Sequence, residues 1–122
     1  MPRINSLKRN KLLKSKKEID ALFINSKSFS SFPVRLVYSI KEAEPASKAA
    51  FSVSKRKFKR AVDRNRIKRL LREAYRLQQN EINTKGLRMM WIFTGKKMPH
   101  FDEIYSAVGT IINELNKKNG HS

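Results

Sequence analysis

From Lys59 to Asn80 the chain has neither glycine nor proline, and its apolar residues recur at the spacing of one helical face. A long helix there constrains everything else. In a chain of 122 residues it must bury its apolar stripe against whatever the remaining segments build. At about 100° per residue, Ile67, Leu70, Leu71, Ala74 and Leu77 fall on one side. Asn65, Arg69, Arg72 and Arg76 fall opposite, with Lys68 beside them. One face is built to pack and the other is a cationic stripe.

The flanking segments supply the partner. Ser15 and Glu18 form an SxxE capping box, and Ile19, Leu22 and Phe23 share one face of a short helix expected to end near Asn25 to Ser28. After Pro33, Val34, Leu36, Tyr38 and Ile40 alternate with Arg35, Val37 and Ser39 as in a half-buried strand. Residues 41–48 read as a loop, and residues 50–54 as a second strand expected to pair with the first across it. A further short strand is expected near Ser54 to Lys57. Gly86 marks a turn after the long helix, and LRMMWIF, residues 87–93, reads as a buried strand. A basic loop, TGKKMPH, precedes a closing helix with an apolar stripe of Ile104, Val108, Ile111, Ile112 and Leu115. Asp102 and Glu103 suit the positive end of that helix, and Lys117 and Lys118 its negative end. The expected fold class is α+β: a single-domain sandwich in the order α-β-β-(β)-α-β-α, with helices packed on a small sheet. Residues 15–118 form the expected single domain, between a basic N-terminal tail, 1–14, and a short C-terminal tail, 119–122.

Charge narrows the function. Lys and Arg number 28 against 10 Asp and Glu, a formal charge of +18 that a polyanion would relieve. Between Lys55 and Arg76 only Asp63 and Glu73 are acidic, so like charges at i,i+4 spacing oppose folding until phosphates neutralise them. Guanidinium groups bind two phosphate oxygens at once, and Asn65 adds a donor and an acceptor for a base or ribose hydroxyl. Cysteine is absent, which excludes disulfides and thiolate metal sites and makes a reducing cytoplasm the simplest location. No apolar run approaches the roughly 20 residues of a membrane span. The acidic residues are scattered rather than clustered to hold metal ions, which disfavours a protein-only nuclease. His100 lies near Asp102 and Glu103, an arrangement that a helix start explains without catalysis.

The segment AVDRNRIKRLLREAYR resembles the signature of the protein component of bacterial ribonuclease P, in which an RNR element on a basic helix follows an SxxK-like strand end. Both parts are present: Ser52, Val53, Ser54 and Lys55, then Arg64, Asn65 and Arg66, continued by Lys68, Arg69 and Arg72. Similarity extends upstream through SFSSFPVRLVYSI and the short first helix, and downstream through the last strand and closing helix. The connector RKFKR departs from the pattern, being a residue longer and lacking a glycine.

The resemblance implies an accessory subunit of an endoribonuclease whose large RNA removes the 5′ leader of precursor tRNA with magnesium ions, held mainly by that RNA. It implies two partners, ribonuclease P RNA and precursor tRNA, and no catalytic or metal-binding residue in the protein. Lys55, Arg56, Lys57, Arg60, Arg64, Asn65, Arg66, Lys68, Arg69, Arg72 and Arg76 would face RNA. Ile19, Phe23, Leu36 and Tyr38 would line a cleft for the single-stranded leader, although a register slip of one residue would exchange Tyr38 for Val37. The family also implies a left-handed crossover around the basic helix. A ribosomal protein shares the charge and size but not the RNR helix preceded by SVSK. A major-groove DNA binder would need a helix-turn-helix partner, and none precedes the basic helix at suitable spacing.

Overall fold

The structure, a computed structural model, describes Lys17 and residues 26–41 and 43–119. The expected first helix, with Ile19 and Phe23, and both tails lie outside the described residues apart from Lys17, which is helical, and residues 26–28 and 119. The described elements are β1 (Lys27–Ser31), β2 (Val34–Ile40), β3 (Lys48–Val53), α1 (Ala61–Gln78), a 3-10 turn (Gln79–Glu81), β4 (Leu87–Phe93) and α2 (Phe101–Asn119).

The α+β class holds, with two departures in the strands. The extra strand is not at Ser54 to Lys57, which form a turn, but at Lys27–Ser31, where the first helix was expected to end. KSFSS contains one large apolar residue, Phe29, and becomes a strand through pairing with β2 rather than through its own pattern. The second departure concerns pairing. The sheet order is β1-β2-β4-β3, so β3 lies parallel to β4 and does not touch β2. The loop from Lys41 to Ser47 therefore spans the width of β4 instead of closing a hairpin.

Register assigns each strand residue to a face. On one face, Phe29, Leu36, Trp91 and Phe51 form a row across all four strands, with Lys27, Tyr38, Met89 and Ala49 beside it. Both helices pack on this face: α1 over β3 and β4, α2 over β1 and β2, and each against the other. Leu36, Tyr38, Met89 and Trp91 are fully buried there, together with Ile67 and Leu71 of α1 and Ile104, Val108 and Leu115 of α2. The closing helix thus buries the stripe expected of it. On the opposite face, Ser28, Val37, Met90 and Ala50 form one row and Ser30, Arg35, Ile92 and Ser52 another. Val37 and Met90, with Ala50 and Ile92 against them, make a small separate apolar cluster.

Helix α1 is rotated relative to the phase expected from sequence. Its buried residues are Ile67, Leu71, Ala74, Tyr75 and Gln78, while Leu77 is 44% exposed. The buried arc is turned by about 50° at 100° per residue. Aromatic packing explains the rotation. Tyr75 sits edge-on to Phe51 at 5.9 Å and tilted against Trp91 at 5.8 Å, a larger apolar contact than Leu77 could make from its position. Burial pushes the Tyr75 hydroxyl up to about 12. Gln78 is buried because its amide donates to the Ala74 and Tyr105 carbonyls, tying α1 to α2.

The Lys41–Ser47 loop is pinned to the start of β4. Arg88, 5% exposed, donates to the Ala46 carbonyl at 2.8 Å and pairs with Glu44. Gly86 has φ +73°; its N–H donates to the Pro45 carbonyl at 2.8 Å, and its own carbonyl accepts from Lys41 N–H at 2.7 Å. A Cβ there would lie 2.6 Å from the Lys41 carbonyl oxygen, so both backbone conformation and space require glycine.

Gly86→Ala is expected to destabilise the fold by about 2 kcal/mol or more, measured as a lower urea midpoint at unchanged slope. Glu44 supplies a pH test. The hydrogen bond from Arg88, and then the charge of Lys41, hold its carboxyl below the usual carboxylate value. A depressed folded value contributes stability that is present above the unfolded pKa and lost as pH falls through the folded one. Glu44→Gln should therefore flatten the acid limb of the stability-against-pH curve, and an unchanged limb would remove this pair from the account.

Candidate nucleic-acid interface

The cations on and before α1 divide into those the fold uses and those it leaves free. Ser54 begins the connector, and its hydroxyl accepts from the N–H groups of Arg56 at 3.2 Å and Lys57 at 3.4 Å. Phe58 N–H donates to the Ser54 carbonyl at 3.1 Å, and the Phe58 ring packs on Phe93 at 5.8 Å. Lys57 Nζ reaches the Thr94 carbonyl at 3.0 Å, so this lysine fastens the connector to the end of β4. Lys55, Arg56 and Arg60 stay exposed around these anchors, as does Lys59. Phe58 turns inward against Phe93 and anchors the middle of the connector.

At the N-terminus of α1 no side chain caps Arg60, the N-cap residue. Arg64 instead swings back, and its Nη1 donates to the carbonyls of Phe58 and Lys59, each at 2.8 Å. The middle residue of the RNR triplet, Asn65, and the last, Arg66, are exposed. The triplet is therefore split between one structural guanidinium and two outward groups.

Along the helix, Arg69 is exposed with no partner among the described residues, and so is Arg66; Lys68 is half-buried. Arg72 lies over the Phe51 ring at 5.8 Å from its centroid, which fixes the aliphatic stem while the guanidinium stays in water. Arg76 pairs with Glu73, which raises its already high pKa. The expected stripe of Asn65, Arg69, Arg72 and Arg76 does lie on one arc opposite Ile67 and Leu71, exposed at the first three and half-buried at Arg76. Asn65 and Arg69 on that arc, and Arg66 beside it, are side chains that the fold does not engage among the described residues.

The expected cleft walls on β2 are placed differently. Leu36 and Tyr38 are both 0% exposed, and Tyr38 stacks on Phe29 at 5.7 Å under the helices. Neither presents surface to a ligand in this arrangement. The reason is pleat parity: residues of even number on β2 point toward α1 and α2, and those of odd number point the other way. Arg35, Val37 and Ser39 occupy the face that neither described helix covers, with Met90, Ile92, Ala50 and a band of serines around them. The structure thus places Leu36 and Tyr38 in the core beneath the helices and Arg35, the exposed cation of β2, on the opposite face.

Carboxylates are poorly placed to hold ions. Glu44 is used by Arg88, Glu73 by Arg76, and Glu103 accepts from His100 N–H at 3.1 Å as the cap of α2. Among the described residues no group of three acidic, His or Cys side chains is arranged to hold a metal ion. No described helix is long and apolar enough to cross a membrane.

Residues 7–116 match the family model for ribonuclease P. The chain is 38% identical over 130 aligned residues to the ribonuclease P protein component of Chlorobium phaeobacteroides, covering 92% of this chain and 89% of that one. It is 34% identical to that of Clostridioides difficile over 105 residues, covering 85% and 90% respectively. Among solved structures, the RNase P protein of Staphylococcus aureus superimposes with a TM-score of 0.73 at 18% identity, covering 85% of this chain and 94% of that chain. That of Thermotoga maritima also gives 0.73 at 18% identity, covering 84% and 96%.

Two arginines of the RNR helix should respond oppositely to truncation. Arg64→Ala removes two carbonyl contacts at a helix start and is expected to cost about 1 kcal/mol, or a fall of roughly 4–6 °C in Tm. Arg69→Ala should leave Tm within about 2 °C. Calorimetry on both variants checks the division.

Proposed function

Because the chain belongs to the ribonuclease P protein family, we propose that it is the protein subunit of that endoribonuclease, binding the catalytic RNA through α1 and the single-stranded 5′ leader of precursor tRNA on the sheet. The observation that carries this reading is the group of Asn65, Arg66 and Arg69, exposed and unengaged among the described residues, flanked by Arg72 and by the connector's Lys55, Arg56 and Arg60. A solvated helix face of an ordinary protein carries both signs of charge. Here one sign dominates, and a phosphate backbone is the partner that relieves it.

The roles divide by geometry. Arg66 and Arg69 make paired donor contacts to phosphates, and Asn65 reads a base edge or a ribose hydroxyl. Arg64 positions the helix start, its Nη1 donating to the Phe58 and Lys59 carbonyls. Arg72, Arg76 and Lys68 extend the positive field along the same helix. The leader runs over the sheet face that carries Arg35, where exposed Arg35 holds a phosphate beside Ser28 and Ser30; Val37 and Met90, 5% and 7% exposed, are the buried floor of that face. Ile19 and Phe23 remain proposed as the opposing wall of this cleft, and Leu36 and Tyr38 support it from within the core.

Magnesium supplies charge neutralisation and an activated water when bound to the RNA of the complex. The protein's described carboxylates are not grouped to hold such an ion, and Glu44, Glu73 and Glu103 are already engaged with two arginines and a helix start. Its own contribution is binding, orientation and relief of repulsion between leader and catalytic RNA, which lowers the magnesium concentration needed. The catalytic centre belongs to the RNA, and the complex acts in the cytoplasm.

In single-turnover cleavage of a precursor tRNA by a cognate ribonuclease P RNA at low magnesium, adding this protein should accelerate cleavage strongly. No acceleration by a folded sample would overturn the reading. Arg69→Ala should weaken assembly with ribonuclease P RNA by about tenfold with the fold intact. Arg35→Ala should weaken binding of the leader-bearing precursor by about fivefold while leaving mature tRNA unaffected. Equal losses on both RNAs would place Arg35 elsewhere in the interface.

A further inference from the structure

A cavity of about 550 Å³ opens at the end of the sheet where β4 finishes, between the β1–β2 turn and the loop leading to α2. It lies within the size range of small-molecule sites, about 300–1,000 Å³. Neither α1 nor the sheet face of Arg35 contributes to it.

Its walls are apolar and its rim is basic. Phe32 stands at the tip of the β1–β2 turn and is 78% exposed, the most exposed large hydrophobic among the described residues. Met98, 38% exposed, and the buried Phe93 also line it. Lys96 and Lys97 are exposed on the rim with no partner among the described residues, and His100 stands beside them. The single acidic group in the lining, Glu103, is occupied as the cap of α2.

This lining is fixed rather than loose. The Phe93 ring is held by Phe58, and Lys57 binds the Thr94 carbonyl. Gly95 lies so close over Phe93 that a Cβ would come within 2.6 Å of the ring, which brings the loop down and leaves Lys96 and Lys97 at its crest. Thr94 N–H donates to the Pro33 carbonyl at 2.8 Å, joining the loop to the turn that carries Phe32.

An exposed ring in water gains nothing from its exposure, and two adjacent free ammonium groups beside it repel each other. One ligand chemistry answers both: a planar aromatic base joined to a phosphate. We propose that this pocket holds one unpaired nucleotide of an RNA, its base stacked on Phe32 and its phosphate between Lys96 and Lys97. The assignment rests on the RNA-binding reading above and adds to it a site that neither the α1 interface nor the sheet face uses. Leader and catalytic RNA share this chemistry, and the final arm of the test separates them.

The probe is AMP, with ribose 5-phosphate as the control, titrated into the isotope-labelled full chain. AMP should shift the Phe32 ring signals and the amides of residues 94–100, and ribose 5-phosphate should leave the ring unmoved. Equal shifts from both would mean that the lysines attract phosphate without a base site, and would overturn the proposal. Phe32→Ala should weaken AMP binding about tenfold, with recovery in Phe32→Trp; unchanged binding in Phe32→Ala would also overturn it. In the assembled complex, 4-thiouridine placed in the leader or in the ribonuclease P RNA should photo-cross-link near Phe32 or Met98 from one of the two. If neither cross-links there while Arg69→Ala still weakens assembly, the pocket assignment fails alone. If Arg69→Ala is also without effect, the RNA-binding reading fails with it.

Discussion

Strand β4 is the member on which the rest of the structure depends, because it is hydrogen-bonded on both edges. Every residue from Leu87 to Phe93 faces one on β2, and from Arg88 onward one on β3 as well. Those partners lie far away in sequence, so β4 joins them only after the chain has passed through α1 and reversed at Gly86. Insertion of this strand separates β2 from β3, stretches the Lys41–Ser47 loop across it, and requires Arg88 and Gly86 to hold that loop down. It also presents Met89, Trp91 and Phe93 to the helices and Met90 and Ile92 to the other face.

The cations follow a division imposed by that scaffold. Arg64, Arg76, Arg88 and Lys57 have donors satisfied by carbonyls or carboxylates, and each fastens a segment: a helix start, a helix turn, a loop and a connector. Asn65, Arg66, Arg69, Lys96 and Lys97 have no such engagement among the described residues. With +18 charges on a small fold, the free groups raise the energy of the isolated protein and lower that of a complex with a polyanion.

Legibility in the sequence followed the range of the interactions. Helix α2 was read correctly because its stripe, Ile104 to Leu115, and its end charges are local signals. Helix α1 was read correctly in extent and approximately in phase; the remaining rotation came from Tyr75, whose aromatic partners Phe51 and Trp91 are distant in sequence. Strand β1 escaped because KSFSS has one large apolar residue and owes its conformation to β2. The pairing of β3 was misassigned for the same reason, since a loop between two strands says nothing of a third inserted later.

The sequence alone determined the charge, the long basic helix, the α+β class and the kinship carried by the RNR segment, because each depends on composition or on periodicity within a few turns. Only the tertiary structure decided which face of β2 is core, which arginine of the triplet is structural, and that Phe32 and two lysines meet around one cavity. Those outcomes depend on strand register and on contacts between residues far apart in the chain, and a one-residue change in register exchanges the two faces of a strand.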